Sequence, residues 1–245
     1  MTRISYILPT KDRPKQLWDA LGRLREFKTA NDELIVVNGG SPDDVPSANF
    51  IDEVIVGQDT CINDALNIGI ARASGEYIKI INDDDKYLSK GMETVWSKMD
   101  AEPVDVVVAG GAKLHVTRKT PDGHTVFSIT CIPKDTAYGT APVDALKWGA
   151  SGVGFFLRRS VFEKVDGFDV SVRMGDMEFV ARAIDEGVTV RFCRADTYRH
   201  PLTAESLVIQ HREDKMREIK MLRERYGEYV LGEHEYPPKW DGEWA

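Results

Sequence analysis

Apolar runs of strand length alternate with segments of helical periodicity through the first hundred residues, and this alternation limits the fold more than any other feature. The runs at 4–8, 33–38, 51–56 and 76–81 are separated by helix-like stretches with short connections. That rhythm predicts an α/β fold with a mainly parallel central sheet flanked by helices. Pro14 stands at the start of the first helical stretch, where its missing N–H costs least, and Leu17, Trp18, Leu21, Leu24 and Phe27 follow at helical spacing. The run Leu34-Ile35-Val36-Val37 is of the kind buried on both faces of a sheet. A second helix is expected over 60–73, stopped by Gly75, and a third bears Met92, Val95, Trp96 and Met99, with Ser89 as its cap.

Beyond residue 102 the pattern changes. A strand is expected at 105–108, a hairpin over 114–131 around Pro121-Asp122-Gly123, and a short helix at 143–148. A strand at 153–157, helices at 161–165 and 176–186, and a last strand at 189–193 follow. A charged helix over 205–226 carries apolar positions at Leu207, Ile209, Met216, Ile219 and Leu222, and an aromatic, proline-rich tail ends the chain. The division is a single domain over 1–245, with halves at 1–102 and 103–204 and a helical tail at 205–245.

Charge and cysteine usage exclude several classes. With 32 Lys+Arg against 40 Asp+Glu the net charge is −8, which argues against a nucleic-acid binder working through a broad basic surface. Cys61, Cys131 and Cys193 are odd in number and form no CxxC pair, which argues against a disulfide framework or structural zinc and fits a reducing, cytoplasmic setting. No stretch approaches the ~20 consecutive apolar residues of a spanning helix, and the N-terminus lacks the h-region of a signal peptide. The 212–225 segment holds six basic and four acidic residues; a solvated face is its ordinary reading and a peripheral contact with an anionic membrane the alternative.

The triplet Asp83-Asp84-Asp85 directly follows the apolar run 78–81, at the sheet edge where open α/β folds place ligands. Three adjacent carboxylates repel, and either solvent or a hard divalent cation must offset that repulsion. Asp176 opens a predicted helix, where the dipole favours a carboxylate and an N-cap role is the structural alternative. Glu178 and Arg182 are an i, i+4 pair suited to helix support.

The segments 8–14 (LPTKDRP), 35–41 (IVVNGGS), 67–78 (NIGIARASGEYI), the acidic triplet, 165–169 (VDGFD) and 175–179 (GDMEF) with Arg182 follow in order along the chain. As an ordered set they resemble a GT-A glycosyltransferase, closest to the inverting family 2. The resemblance implies that Pro9, Thr10, Asp12, Arg13, Asn38 and Asn67 bind a nucleotide sugar. It makes 83–85 the DxD-type motif, with Asp83 on the donor and Asp84 and Asp85 on Mn²⁺ or Mg²⁺. Asp176 matches the catalytic base, His200 a third metal ligand and Arg199 a diphosphate contact, while Trp148, Ser151 and Gly152 fall at the acceptor wall. The implied partners are a nucleotide-sugar donor, a UDP-sugar by family frequency, and a glycan or other hydroxyl acceptor. The chain departs from the pattern at Asn38-Gly39, where two aspartates are usual, at Leu66 for an arginine, at Asn82 for the first aspartate and at Gly175 for a glutamate. The rivals are a sugar-nucleotide nucleotidyltransferase, disfavoured because 9–14 contains no glycine, and a catalytically silent nucleotide- or carbohydrate-binding module. A dinucleotide-dependent oxidoreductase lacks its GxGxxG.

Overall fold

The computed structural model describes residues 3–57, 59–119, 125–132, 150–202 and 212–227. The first half follows the expected alternation: β1 (Ile4–Thr10), α1 (Pro14–Leu24), β2 (Glu33–Asn38), β3 (Glu53–Val56), α2 (Ile62–Arg72), β4 (Tyr77–Ile80), a two-residue β5 (Lys86–Tyr87) and α3 (Ser89–Ala101). Then come β6 (Val106–Lys119), β7 (Thr125–Ile132), β8 (Phe155–Arg158), α4 (Val161–Lys164), α5 (Gly175–Asp185), β9 (Val190–Leu202) and α6 (Arg212–Tyr226). The expected turn at 121–123, the helix at 143–148 with Trp148, the start of the last helix at 205–211 and the aromatic tail lie outside the described residues.

The strands form one sheet in the order β3-β2-β1-β4-β8-β6-β9-β5, with β7 added to β6. The pairs among β3, β2, β1 and β4 are parallel, β8 runs antiparallel to both β4 and β6, and β6 and β9 are parallel to each other. Strand order reverses between β1 and β4, which opens a crevice at their C-terminal ends. Because β6 points the same way as β4, the C-terminal parts of β6 and β9 extend past that same edge.

Side-chain alternation divides the core in two. Ile7, Ile35, Val37, Ile78 and Ile80 pack with Ala65 and Ile70 of α2, Phe179 of α5 and Leu222 of α6. Their neighbours in sequence, Tyr6, Leu8, Leu34, Val36 and Tyr77, pack with Leu17 and Leu21 of α1 and Val95 and Trp96 of α3. The sheet is thus buried on both faces, the reason its strands read as continuous apolar runs.

Several expectations are corrected. Trp18, expected on the buried face of α1, is 58% exposed. Ser89 is the first helical residue of α3, preceded by Leu88 in the cap position. Helix α2 ends at Arg72, and Gly75 serves instead as a close approach, since a Cβ there would lie 2.8 Å from the Ser5 backbone nitrogen. The strands at 105–108 and 189–193 are the beginnings of β6 and β9, which continue to Lys119 and Leu202. Of the apolar positions expected on the last helix, Ile219 and Leu222 are buried together with Tyr226, whereas Met216 is exposed.

Candidate active site

The ends of β1 and β4 meet at the acidic triplet. Thr10, the last residue of β1, donates its hydroxyl to Asp83 Oδ2 at 2.8 Å. Arg13, just before α1, reaches Asp83 Oδ1 and Asp84 Oδ2 with one nitrogen, each at 3.1 Å. Arg23 on α1 donates to the Asp83 carbonyl at 3.1 Å. Burial pushes the Asp83 carboxyl pKa up, with Thr10 and Arg13 opposing that shift. Solvent and metal are therefore not the triplet's only means of offsetting its repulsion: the chain supplies cations of its own.

Asp85 is fully buried. Its Oδ1 lies 2.5 Å from His200 Nδ1, and its Oδ2 accepts the Asn82 side-chain amide at 3.0 Å. Burial raises the Asp85 pKa and the contact with His200 works against it. The Asn82 backbone N–H donates to the Tyr87 hydroxyl at 2.7 Å, fixing the turn into β5. His200, beyond the last strand expected at 189–193, is part of β9 and paired in register with Lys113 of β6. Asp84, Asp85 and His200 offer ligand atoms within 4.8 Å of one another. Two carboxylates and an imidazole are a donor set suited to Mn²⁺.

Asp176 is the second residue of α5, inside the helix and not its cap, and its Oδ1 accepts the Met177 N–H at 2.9 Å. Its Cβ lies 3.7 Å from the position a Cβ on Gly152 would take, so the turn before β8 faces it closely. Lys113 links the two groups of carboxylates electrostatically. Desolvation lowers its pKa, while Asp176 first and Asp85 second raise it. The loop ahead of α5 is held by α2, through Asn63 to the carbonyls of Asp169 and Val172 at 2.7 Å each. It is held by α6 as well: the Glu218 carboxylate accepts the N–H groups of Arg173 and Met174 at 2.9 and 2.8 Å. Glu178 is buried and pairs with the half-buried Arg182, which also donates to the Gly167 carbonyl at 2.6 Å, while Tyr226 donates to Glu178 at 2.7 Å.

Three residues assigned to the donor have other contacts. The Asn38 side chain closes its own turn, donating to the Ser41 carbonyl at 2.6 Å and accepting from Gly40 N–H at 2.9 Å. Asn67 is bidentate with the backbone of Phe168, at 2.8 Å for both bonds. Arg199 pairs with Asp196 on its own strand. Pro9 and Asp12 remain at the crevice. Asp12 is in the left-handed region at φ 54°, and its nitrogen lies so near Gly40 that a Cβ there would approach it to 2.8 Å. Gly40 is thus required by the close approach of the two turns. Sequence reasoning missed Lys113. The strand expected at 105–108 stops short of it, whereas β6 runs on through Lys113 to Lys119.

Comparison with known proteins agrees with this layout. The family model for glycosyl transferase family 2 matches residues 5–166. Glycosyltransferase GlyG of Streptococcus pneumoniae is 26% identical over 138 residues, covering 52% of this chain and 44% of that protein. Uncharacterized glycosyltransferase RP339 of Rickettsia prowazekii is 25% identical over 182 residues, covering 69% of this chain and 54% of its own. The chain thus spans about half the length of these relatives. Mannosyltransferase PcManGT from Pyrobaculum calidifontis, in complex with GDP-Man and Mn²⁺, superposes with a TM-score of 0.65 at 15% identity, over 91% of this chain and 64% of that one. S. aureus TarS residues 1–349, in complex with UDP-GlcNAc, gives 0.62 at 14% identity, over 83% and 60%. The fold is that of the GT-A glycosyltransferases, and the chain belongs to glycosyl transferase family 2.

Proposed function

We propose that this glycosyltransferase moves a sugar from a nucleoside diphosphate sugar to a hydroxyl acceptor in one in-line displacement with inversion. The carrying observation is the convergence of Asp84, Asp85 and His200 at the β1/β4 crevice, with Asp176 presented by α5. Asp84, Asp85 and His200 would hold Mn²⁺ or Mg²⁺, which as a Lewis acid stabilises charge gathering on the diphosphate. Thr10 and Arg13 keep the triplet in place. Asp176 accepts the proton of the acceptor hydroxyl as its oxygen forms the new bond to the anomeric carbon, and the bond from that carbon to the diphosphate breaks with its electron pair leaving on oxygen.

The two solved neighbours carry UDP-GlcNAc and GDP-Man, and a UDP-sugar is the donor we propose, on family frequency. Among the described residues no helix is long and apolar enough to cross a membrane. A reducing, cytoplasmic setting is the localisation we propose, on the number and spacing of the cysteines.

A transfer assay on the full chain tests the reading. Asp176→Asn is expected to lower kcat by about 10²–10⁴-fold while donor binding is kept, and EDTA to abolish transfer until Mn²⁺ is restored. Wild-type rates in the variant would remove Asp176 from the role of base. Donor binding without turnover in the wild type would favour the silent binding module.

A further inference from the structure

Lys113 is a cation of the cleft with no part in the mechanism above. It lies on β6 just past the Gly110-Gly111 step, in register with His200 of β9. Paired residues of adjacent strands send their side chains to one face, and on that face His200 reaches Asp85. Two residues earlier the same face is marked by the Tyr198 ring, which a Cβ on Gly111 would approach to 2.2 Å. Asp176 and Asp85 are the charges that act on Lys113. Register puts the lysine beside the metal-ligand cluster, and the charge of Asp176 acts on it as well. If those two groups do what is proposed, the space between them holds the anomeric carbon and the oxygen that leaves it. Arg199, the neighbour of His200 in sequence, is paired with Asp196.

We propose that Lys113 is a catalytic residue whose ammonium hydrogen-bonds the terminal phosphate of the bound nucleoside diphosphate. The assignment rests on the nucleotide-sugar reading. When the carbon–oxygen bond breaks, its electron pair adds negative charge to that phosphate. A compact ammonium with three donors neutralises it, while the acceptor's proton goes to Asp176.

The test titrates the full chain calorimetrically with UDP, UMP, GDP and GMP, in EDTA and in Mn²⁺, for wild type, Lys113→Met and Lys113→Arg. In EDTA the wild type is expected to prefer the diphosphate over the monophosphate. Lys113→Met weakens the diphosphate about tenfold, as the loss of one charge-assisted hydrogen bond does, and leaves the monophosphate unchanged. Lys113→Arg restores most of the difference, and in the Mn²⁺ assay Lys113→Met lowers kcat more than it raises KM. An equal loss of both ligands in Lys113→Met, or no loss, overturns the Lys113 assignment alone. Failure of the wild type to bind any of the four nucleotides overturns the donor reading and this assignment with it.

Discussion

A lysine with no exposed surface sits in the middle of β4, a strand whose other residues are apolar or aromatic. Lys79 donates to the carbonyls of Val153 at 2.5 Å and Ile80 at 3.2 Å, and its nitrogen stands 4.5 Å from the centre of the Phe156 ring. Burial pushes its pKa down from 10.5 to about 7, with Asp85 opposing the shift. Between those values the unfolded chain holds a proton that the folded chain does not, so this residue's contribution to stability rises with pH across the window. Its burial penalty is fully present below pH ~7 and fades toward pH ~10. Urea unfolding of Lys79→Met and wild type at pH 6, 7.5 and 9 is expected to give a stability difference, variant minus wild type, that falls as pH rises. A difference independent of pH would show that Lys79 does not titrate there. The acidic triplet was legible at this scale because an apolar run delivers it to a sheet edge. Its neutralisation was not: Arg13 and His200 lie 70 and 115 residues from their carboxylate partners Asp83 and Asp85, and no local spacing announces them.

The elements of the first half were legible because each strand is apolar on both faces and each helix shows one apolar stripe. The extensions of β6 and β9 were not, because past the core their sequences turn polar where they line the cleft, and β9 even contains Pro201. Pairing holds them in strand form, β9 with β6 on one side and β5 on the other. A two-residue β5 has no period to read. The C-terminal helix was legible as a helix, but its purpose emerges only from its contacts: Glu218 of α6 ties down the backbone that enters α5, the helix of Asp176. Glu218→Ala leaves two N–H groups without their carboxylate. It is expected to cost about 1 kcal/mol of stability, as lost helix caps do, and to lower kcat with donor KM unchanged. Melting curves and steady-state kinetics check this, and unchanged kcat would separate α6 from the site. Leu222→Ala, in the same helix but at a fully buried position, is expected to cost about 2–5 kcal/mol.

At the scale of the whole molecule, the change of rhythm near residue 102 suggests two halves, yet the sheet crosses that point without a break. β8, from the second half, pairs antiparallel with β4 of the first and with β6 of its own. One face of the core joins Ile7, Ile35 and Ile78 to Phe155, Phe179 and Leu222. The other joins Tyr77 and Trp96 to Phe156, with the Trp96 and Phe156 rings 4.6 Å apart between centroids. Neither half can lose its structure without exposing apolar surface of the other, and apolar exposure is the main cost of opening a fold. We therefore expect one cooperative transition, with tryptophan fluorescence and far-UV circular dichroism giving coincident urea curves. The five tryptophans, Trp96 at the junction of the two halves among them, then report the same midpoint as the backbone. Two resolved transitions, or a fluorescence midpoint offset from the dichroism, would mean that the two halves fold as separate units. The cleft between Asp85 and Asp176 would then be a hinge and not part of one rigid sheet edge.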